Sequence, residues 1–328
     1  MCSPQYESEL LNYLNSESSS ERHFAFTLLQ KIESPTSTKT AINAGLVSKD
    51  ASIRQRALKF AIETNNVNLL ERPMVSLLAD SAATVRLEAL HWLAEKQDCR
   101  DILEAAFFDS SFAVRLFARY RLREVDAKDI YMLNLQTKNH SLLLTLRGLI
   151  EIKAELPIET LEPFVLASSG KVRALTYELL LAQDKIADKG AIVCRALLDQ
   201  SNHCIKSAHK YLDANPDSVA IETLWELFNQ ELPLAAKRTL ISAMAKSSPW
   251  ISLPYLLALT IKLGSQTKLE ATLELAIYSA LNHWLNKTNN IFTTPSTSSL
   301  KNLNSSLEEA KSVLKPQHYQ TIKAVLKR

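Results

Sequence analysis

Apolar residues along this chain recur at helical spacing, and polar turns interrupt them at a regular interval. In "DSAATVRLEALHWL" the polar stretch Asp80 to Thr84 gives way to Val85, Ala89 and Leu93 at i, i+4 and i+8, one face of an amphipathic helix. The segment before it, "ERPMVSLLAD", brings Met74, Leu77 and Leu78 to the same seam, so a pair of helices is predicted, neither of which can bury its stripe alone. The same phrase returns in "DSSFAVRLFA" from Asp109, with Asp, Val, Arg and Ala in matching places. Further copies are "SKDASIRQRA", "ASSGKVRALT" and "DQSNHCIKSA", with weaker ones in "SERHFA", "NHSLLLTLRG", "LAAKRTL" and "TKLEATL". Their anchors, Glu21, Ile53, Val85, Val114, Leu143, Val172, Cys204, Ala236 and Leu269, stand about 29 to 33 residues apart. A period of that length with helical periodicity inside it predicts stacked helix pairs.

An acid in the turn, a Val-Arg pair and an Ala resemble the consensus of the HEAT-repeat family, whose first helices often open on a proline, as at Pro73 and Pro254. The resemblance spans roughly residues 20 to 285. It is close at Ile53, Val85, Val114 and Val172, and departs where the Arg position holds Thr or Leu near Leu143, and Ile205, Lys237 or Glu270 later on. It implies an all-α fold: a right-handed α-solenoid of stacked antiparallel helix pairs, a HEAT/armadillo-like superhelix of about nine pairs over residues 1–285. The turn acids and helix arginines of that family form a ladder between neighbouring units, which implies a structural role for Asp80, Asp109, Arg54, Arg86, Arg115 and Arg173. Its second helices line the concave surface. Armadillo units usually carry a glycine between their first helices, and tetratricopeptide units a Trp, Gly and Tyr pattern; neither is evident.

Beyond the repeats, residues 286–306 are rich in Asn, Ser and Thr around Pro295 and read as a flexible loop. Residues 307–328 read as C-terminal capping helices divided near Pro316.

Composition narrows the chemistry. The five glycines of this 328-residue chain, Gly45, Gly148, Gly170, Gly190 and Gly264, are isolated, so GxGxxG, P-loop and GxSxG motifs cannot be built. Cys2, Cys99, Cys194 and Cys204 form no CxxC pair, which argues against a zinc module or a disulfide framework. His203 and His209, near Cys194 and Cys204, are six apart and diverge on a helix, so no metal is expected. With 46% hydrophobic and 22% charged residues, no run of 18 apolar positions and no signal-like N-terminus, the expectation is a soluble, cytoplasmic protein without membrane contact.

A net charge of +3 from 38 basic and 35 acidic residues means that any anion-binding surface is local. Arg119 and Arg123 follow Arg115 at i+4 and i+8, and nothing in the repeat requires them. Arg56, Lys206, Lys210 and Arg238 are comparable extras on second helices. Together these six make a candidate basic face for an acidic partner; the alternative is a solvated surface paired with Glu88 or Glu124. Trp92, Trp225, Trp250 and Trp284 could stack on bases as in HEAT-like DNA glycosylases, or pack in cores. No Trp and Asp arrangement matches those enzymes, and no catalytic set can be assembled by spacing. The expectation is a non-catalytic protein-protein interaction module, scaffold, adaptor, regulator or immunity protein, with no cofactor and no evident small-molecule substrate. The alternative is a nucleic-acid-binding HEAT-like protein, such as a relative of the DNA glycosylases.

Overall fold

Helix starts fall on the polar turns. Ser18, Asp126, Asp188, Ser201 and Ser296 each accept a hydrogen bond from a backbone N–H of the first turn they cap, and Pro35 and Pro316 open helices where no N–H is needed. The computed structural model describes residues 6–32, 34–96, 99–123, 125–263, 271–289 and 293–327. All regular structure among them is helical, in two units, 1–148 and 149–328. No helix among these residues is long and apolar enough to cross a membrane.

In the first unit α1 (Glu7–Leu14) pairs with α2 (Ser19–Leu29), and α3 (Pro35–Leu46) with α4 (Ala51–Glu63). A 3-10 segment, Met74–Ala79, pairs with α5 (Ala83–Lys96), and α6 (Arg100–Ala106) with α7 (Phe112–Arg121); α8 (Ala127–Thr137) and α9 (Leu142–Glu151) follow. The second helices α2, α4, α5 and α7 pack each on the next, while α1 packs on α3 in the other layer. The expected first helix over 71–80 is only the 3-10 segment, because six residues separate Pro73, which is extended, from the turn aspartate Asp80. Met74 and Leu77 still reach the core.

The second unit repeats the plan. The pairs are α10 (Ile158–Val165) with α11 (Gly170–Ala182), α12 (Lys189–Leu197) with α13 (Asn202–Ala214), and α14 (Ile221–Phe228) with α15 (Leu234–Lys246). They continue as α16 (Pro249–Leu263) with α17 (Ala271–Thr288), and α18 (Thr297–Ala310) with α19 (Pro316–Leu326). Here α11, α13, α15 and α17 stack in sequence, and α14, α16 and α18 form the opposing layer. Each unit is therefore a HEAT-like stack of helix pairs in two layers.

Two expectations need correction. The 286–306 stretch is not a loop throughout: α17 runs to Thr288 and α18 begins at Thr297. Its Asn and Ser face outward, whereas Leu303, Leu307 and Ala310 at i, i+4 and i+7 are buried and α18 packs on α16, so tertiary burial overrides weak helix propensity. Trp250 Nε1 also donates to the Thr293 carbonyl at 2.9 Å. The capping helices accordingly begin at 297, not 307.

Second, the repeat anchor near 143 is Leu144. Its N–H and that of Thr145 both bond the Ser141 carbonyl, just as Ile53 and Arg54 bond Asp50, and Cys204 and Ile205 bond Ser201. Thr145 thus takes the Arg position, fully buried, accepting from Asn134 Nδ2 at 2.6 Å and donating to the Ser141 carbonyl. Gly148 takes the Ala position, where a Cβ would fall 2.1 Å from the Tyr131 ring. The last anchor, Leu269, with Glu270 beside it, lies outside the described residues.

Candidate partner-binding surface

The repeat arginines act between neighbours. Arg54 forks Asp80, Nε to Oδ2 at 2.9 Å and Nη2 to Oδ1 at 2.8 Å; Arg86 forks Asp109 at 2.7 and 2.6 Å; Arg173 forks Asp199 at 2.8 and 2.8 Å. Such bidentate, charge-assisted pairs fix direction as well as charge. Each arginine also turns Nη1 back to the carbonyl six residues upstream, Ser48, Asp80 and Ala167 respectively. Each aspartate in turn accepts the N–H two residues on, from Ala82, Ser111 or Ser201, and so shapes its own turn. Arg115, 3% exposed, makes the same return bond to the Asp109 carbonyl.

Arg22, Asp50 and Asp199 join this set although the sequence reading did not place them there. Arg22 reaches Asp50 through Nε alone, at 2.7 Å. The Arg173 fork holds the Asp199 carboxyl below its ordinary range, and Arg22 does the same for Asp50. At Asp80 burial pushes upward, but the bonds from Arg54 and the Ala82 N–H outweigh it and the carboxyl is lowered.

Of the six residues proposed for a basic face, three are engaged. Arg56 donates to Thr27 Oγ1 at 3.1 Å and Gln30 Oε1 at 2.7 Å, with its guanidinium 5.2 Å from the centre of the Phe26 ring. Lys210 pairs with Glu178 at 2.6 Å. Arg119 donates to Tyr131 Oη at 3.0 Å. It stands five positions past its anchor, where α4 and α5 bury Leu58 and Leu90, and caps a fully buried phenol that itself donates to the Phe107 carbonyl. Arg119 and Arg123 do not share a helix face, because α7 ends at Arg121 and Leu122 leaves helical geometry. Arg123 is exposed without an ion pair among the described residues; the partner suggested for this stretch, Glu124, lies outside them. Glu88 pairs instead with Lys59, at 3.7 Å.

The remaining two, Lys206 and Arg238, come together in the second unit. A groove of about 680 Å³ crosses α13, α15 and α17, and both residues line it, exposed and without an ion pair among the described residues. Both stand two positions past their anchors, Cys204 and Ala236, the register position that faces solvent on these two helices. His209, His283 and Lys246 line the groove as well, and among the described residues no carboxylate does. Asp213, which does not line the groove, pairs with Lys246 at 2.6 Å and stands 3.4 Å from His209. Ala235, Ser242, Ala276 and Ser279 keep the floor low, and Leu275 stands at the rim, 71% exposed. Sequence reasoning missed Lys246, which ends α15 ten positions past its anchor, and His283 and Leu275, because α17 was anchored only loosely to the repeat.

The other candidates resolve into packing. Cys204 is buried beneath Arg173 and Asp199, and burial with the nearby Asp199 charge pushes its thiol up to about 12, an inert small hydrophobe. Among the described residues no cluster of His, Cys, Asp or Glu could hold a metal ion. Trp284 is fully buried with Nε1 on the Pro249 carbonyl at 2.7 Å; Trp250 packs against it edge-on, and Trp225 lies against Phe228 and Tyr255. Trp92 is half-buried against the first unit's core.

No family model matches this chain, and no curated protein matches it. Among solved structures it is similar to YibA of E. coli, at 13% identity and a TM-score of 0.35, over 95% of this chain and 99% of that one. It is also similar to Kap95p in a structure with RanGDP, at 12% identity and a TM-score of 0.46, over 98% of this chain and 51% of that one. Likenesses this distant assign no function.

Proposed function

We propose that this chain is a non-catalytic protein-binding module, and that the groove across α13, α15 and α17 receives an acidic segment of its partner. The observation that carries this reading is a groove whose described lining holds three cations, two histidines and no carboxylate, and where Lys206 and Arg238 have no ion pair among the described residues. A low-dielectric wall with one sign of charge focuses its field outward and favours an oppositely charged ligand. The exposed Leu275 at the rim offers an apolar contact beside the charges. The residues of the repeat ladder serve stacking and are not part of this surface.

The test is affinity capture with the full chain as bait, from nuclease-treated extract of its own cells at low salt. Wild-type protein is expected to retain a defined acidic protein that 0.5 M salt releases and that Lys206→Glu/Arg238→Glu fails to retain, while Lys59→Glu retains it normally. Equal retention by the double variant, or capture that nuclease abolishes, refutes the acidic-segment reading. Binding to duplex DNA or RNA that falls on the order of a thousandfold between 50 and 200 mM salt would mark phosphate contacts instead.

A further inference from the structure

A second face, in the first unit, has different chemistry. α7 turns Phe112, Leu116 and Tyr120 to solvent, 53%, 49% and 68% exposed, while its opposite side buries Val114, Arg115 and Ala118. Single exposed apolar side chains are ordinary. Three at i, i+4 and i+8 make a continuous seam about 12 Å long at 1.5 Å per residue. Leu116 and Tyr120 stand two and six positions past the anchor Val114; the same positions hold Gln55 and Lys59 in α4, and Lys206 and Lys210 in α13. The repeat therefore tolerates polar residues there, and the core gains nothing from the apolar ones.

The seam has defined borders. Along the flank toward α5, Phe117 stacks on His91 with ring centres 3.9 Å apart. The Arg119 guanidinium lies 5.9 Å from the centre of the Phe112 ring, and Arg123 is exposed just past the helix end. Of the three arginines on α7, Arg115 is buried and Arg119 and Arg121 are bonded to Tyr131 Oη and the Ala94 carbonyl, so among the described residues the open cation beside the seam is Arg123. An apolar ridge of one-turn spacing beside cations is complementary to a helix with apolar residues on one face and acids along its edges.

We infer that α7 docks an acidic amphipathic helix of another protein, whose apolar side chains lie along Phe112, Leu116 and Tyr120 and whose carboxylates face the arginine side. The linear, partly aliphatic seam favours a helix over stacked bases, which would need separated aromatic platforms. This proposal stands on the first unit and is independent of the groove between α13 and α17.

The probes are fluorescent synthetic helices of about 18 residues, read by anisotropy against the full chain. One has Leu at i, i+4, i+7 and i+11 with Glu along both edges, a second scrambles that composition off one face, a third carries Lys for Glu, and a fourth probe is oligo(dT). The first is expected to bind at least tenfold more tightly than the others. Leu116→Glu and, separately, Tyr120→Glu should each weaken it at least tenfold, Arg123→Glu severalfold, and Lys206→Glu not at all. Circular dichroism on each variant shows that the fold is retained, and two seam variants guard against either one misfolding. Equal affinity for the faced and scrambled helices, no binding of the first, or tighter binding of oligo(dT) overturns the inference. So does self-association in sedimentation that Leu116→Glu abolishes, which would make a second copy the occupant.

Discussion

Replacing Arg86 with alanine removes five donated hydrogen bonds together: two to Asp109, one to Ser110 Oγ at 3.1 Å, and two to the carbonyls of Asp80 and Ser81 at 2.7 and 3.2 Å. The side chains of Arg86 and Asp109 are only 10% and 13% exposed, so water recovers little of the loss. Asp109 would keep the Ser111 N–H at 2.7 Å as its remaining bond within the turn. A hydrogen bond to a charged group contributes about 1.5 to 3 kcal/mol, and removing one partner of a buried pair costs about 3 to 5. Because this pair touches solvent at its edge, we expect a loss of about 3 kcal/mol. Arg86→Lys keeps the charge but cannot fork, and should lose about half of that. Asp109→Ala alone strands the guanidinium, whereas the double variant strands neither charge. The double-mutant cycle should therefore return a coupling of about 1.5 to 2 kcal/mol. Urea titrations followed by circular dichroism supply the energies, and hydrogen exchange of α5 and α7 localises them, since stacked repeats need not unfold in one step. A loss below about 0.5 kcal/mol for Arg86→Ala, or zero coupling, would show that the ladder adds nothing to stacking.

Gly148→Ala should lower the melting temperature, because the added methyl meets the Tyr131 ring at 2.1 Å in a fully buried site, an overpacking cost of about 1 to 3 kcal/mol; Tyr131→Leu in the same chain should recover part of it. Arg119→Ala should destabilise by about 1 kcal/mol through loss of the bond to Tyr131 Oη, and melts indistinguishable from wild type would return Arg119 to the pool of surface cations. Cys204, whose thiol is pushed up to about 12, should resist alkylation at pH 8 until the second unit unfolds; labelling of the native chain at the rate of a free thiol would contradict its burial. The lowered carboxyls of Asp50, Asp80 and Asp199 contribute stability that is complete above about pH 4 and drains as pH falls toward their folded values. Melting temperatures from pH 7 to 2.5 should thus fall below about pH 4, and less steeply for Arg173→Ala than for wild type.

Helix pairing and its phase were legible because amphipathic period and turn chemistry agree at every strong copy. The Arg54 to Asp80 and Arg86 to Asp109 pairings were implied by the HEAT resemblance, and the repeat spacing supplied the positions, since each aspartate lies five positions before its anchor. Asp50 escaped because it lies three positions before Ile53, two residues out of that register, and it meets Arg22 through a single bond instead of a fork. Arg119 looked surplus because its partner Tyr131 belongs to the first helix of the following pair, a contact that spacing does not encode. The 286–306 stretch misled for a compositional reason: Asn, Ser and Thr outnumber the leucines that α18 buries. Lys206 and Arg238 were readable as cations on second helices, but that the described lining of their groove holds no carboxylate depends on three helices meeting, which no single stretch reports.

The paired turns also bear on how such a chain can change in length. Each ladder unit presents an aspartate toward the arginine behind it and an arginine toward the aspartate ahead, so residues 80–108 form a cassette with matched ends. A tandem copy inserted there would offer its own Asp80 to Arg86 and its own Arg86 to Asp109, leaving no charge stranded. At the Thr145 and Ile205 units the arginine has been lost, the former replaced by neutral bonds to Asn134 and Ser141. Duplication across those joints would place an aspartate opposite a side chain with no cation to give, so growth and shrinkage of the array should be confined to the stretches where acid and base still alternate.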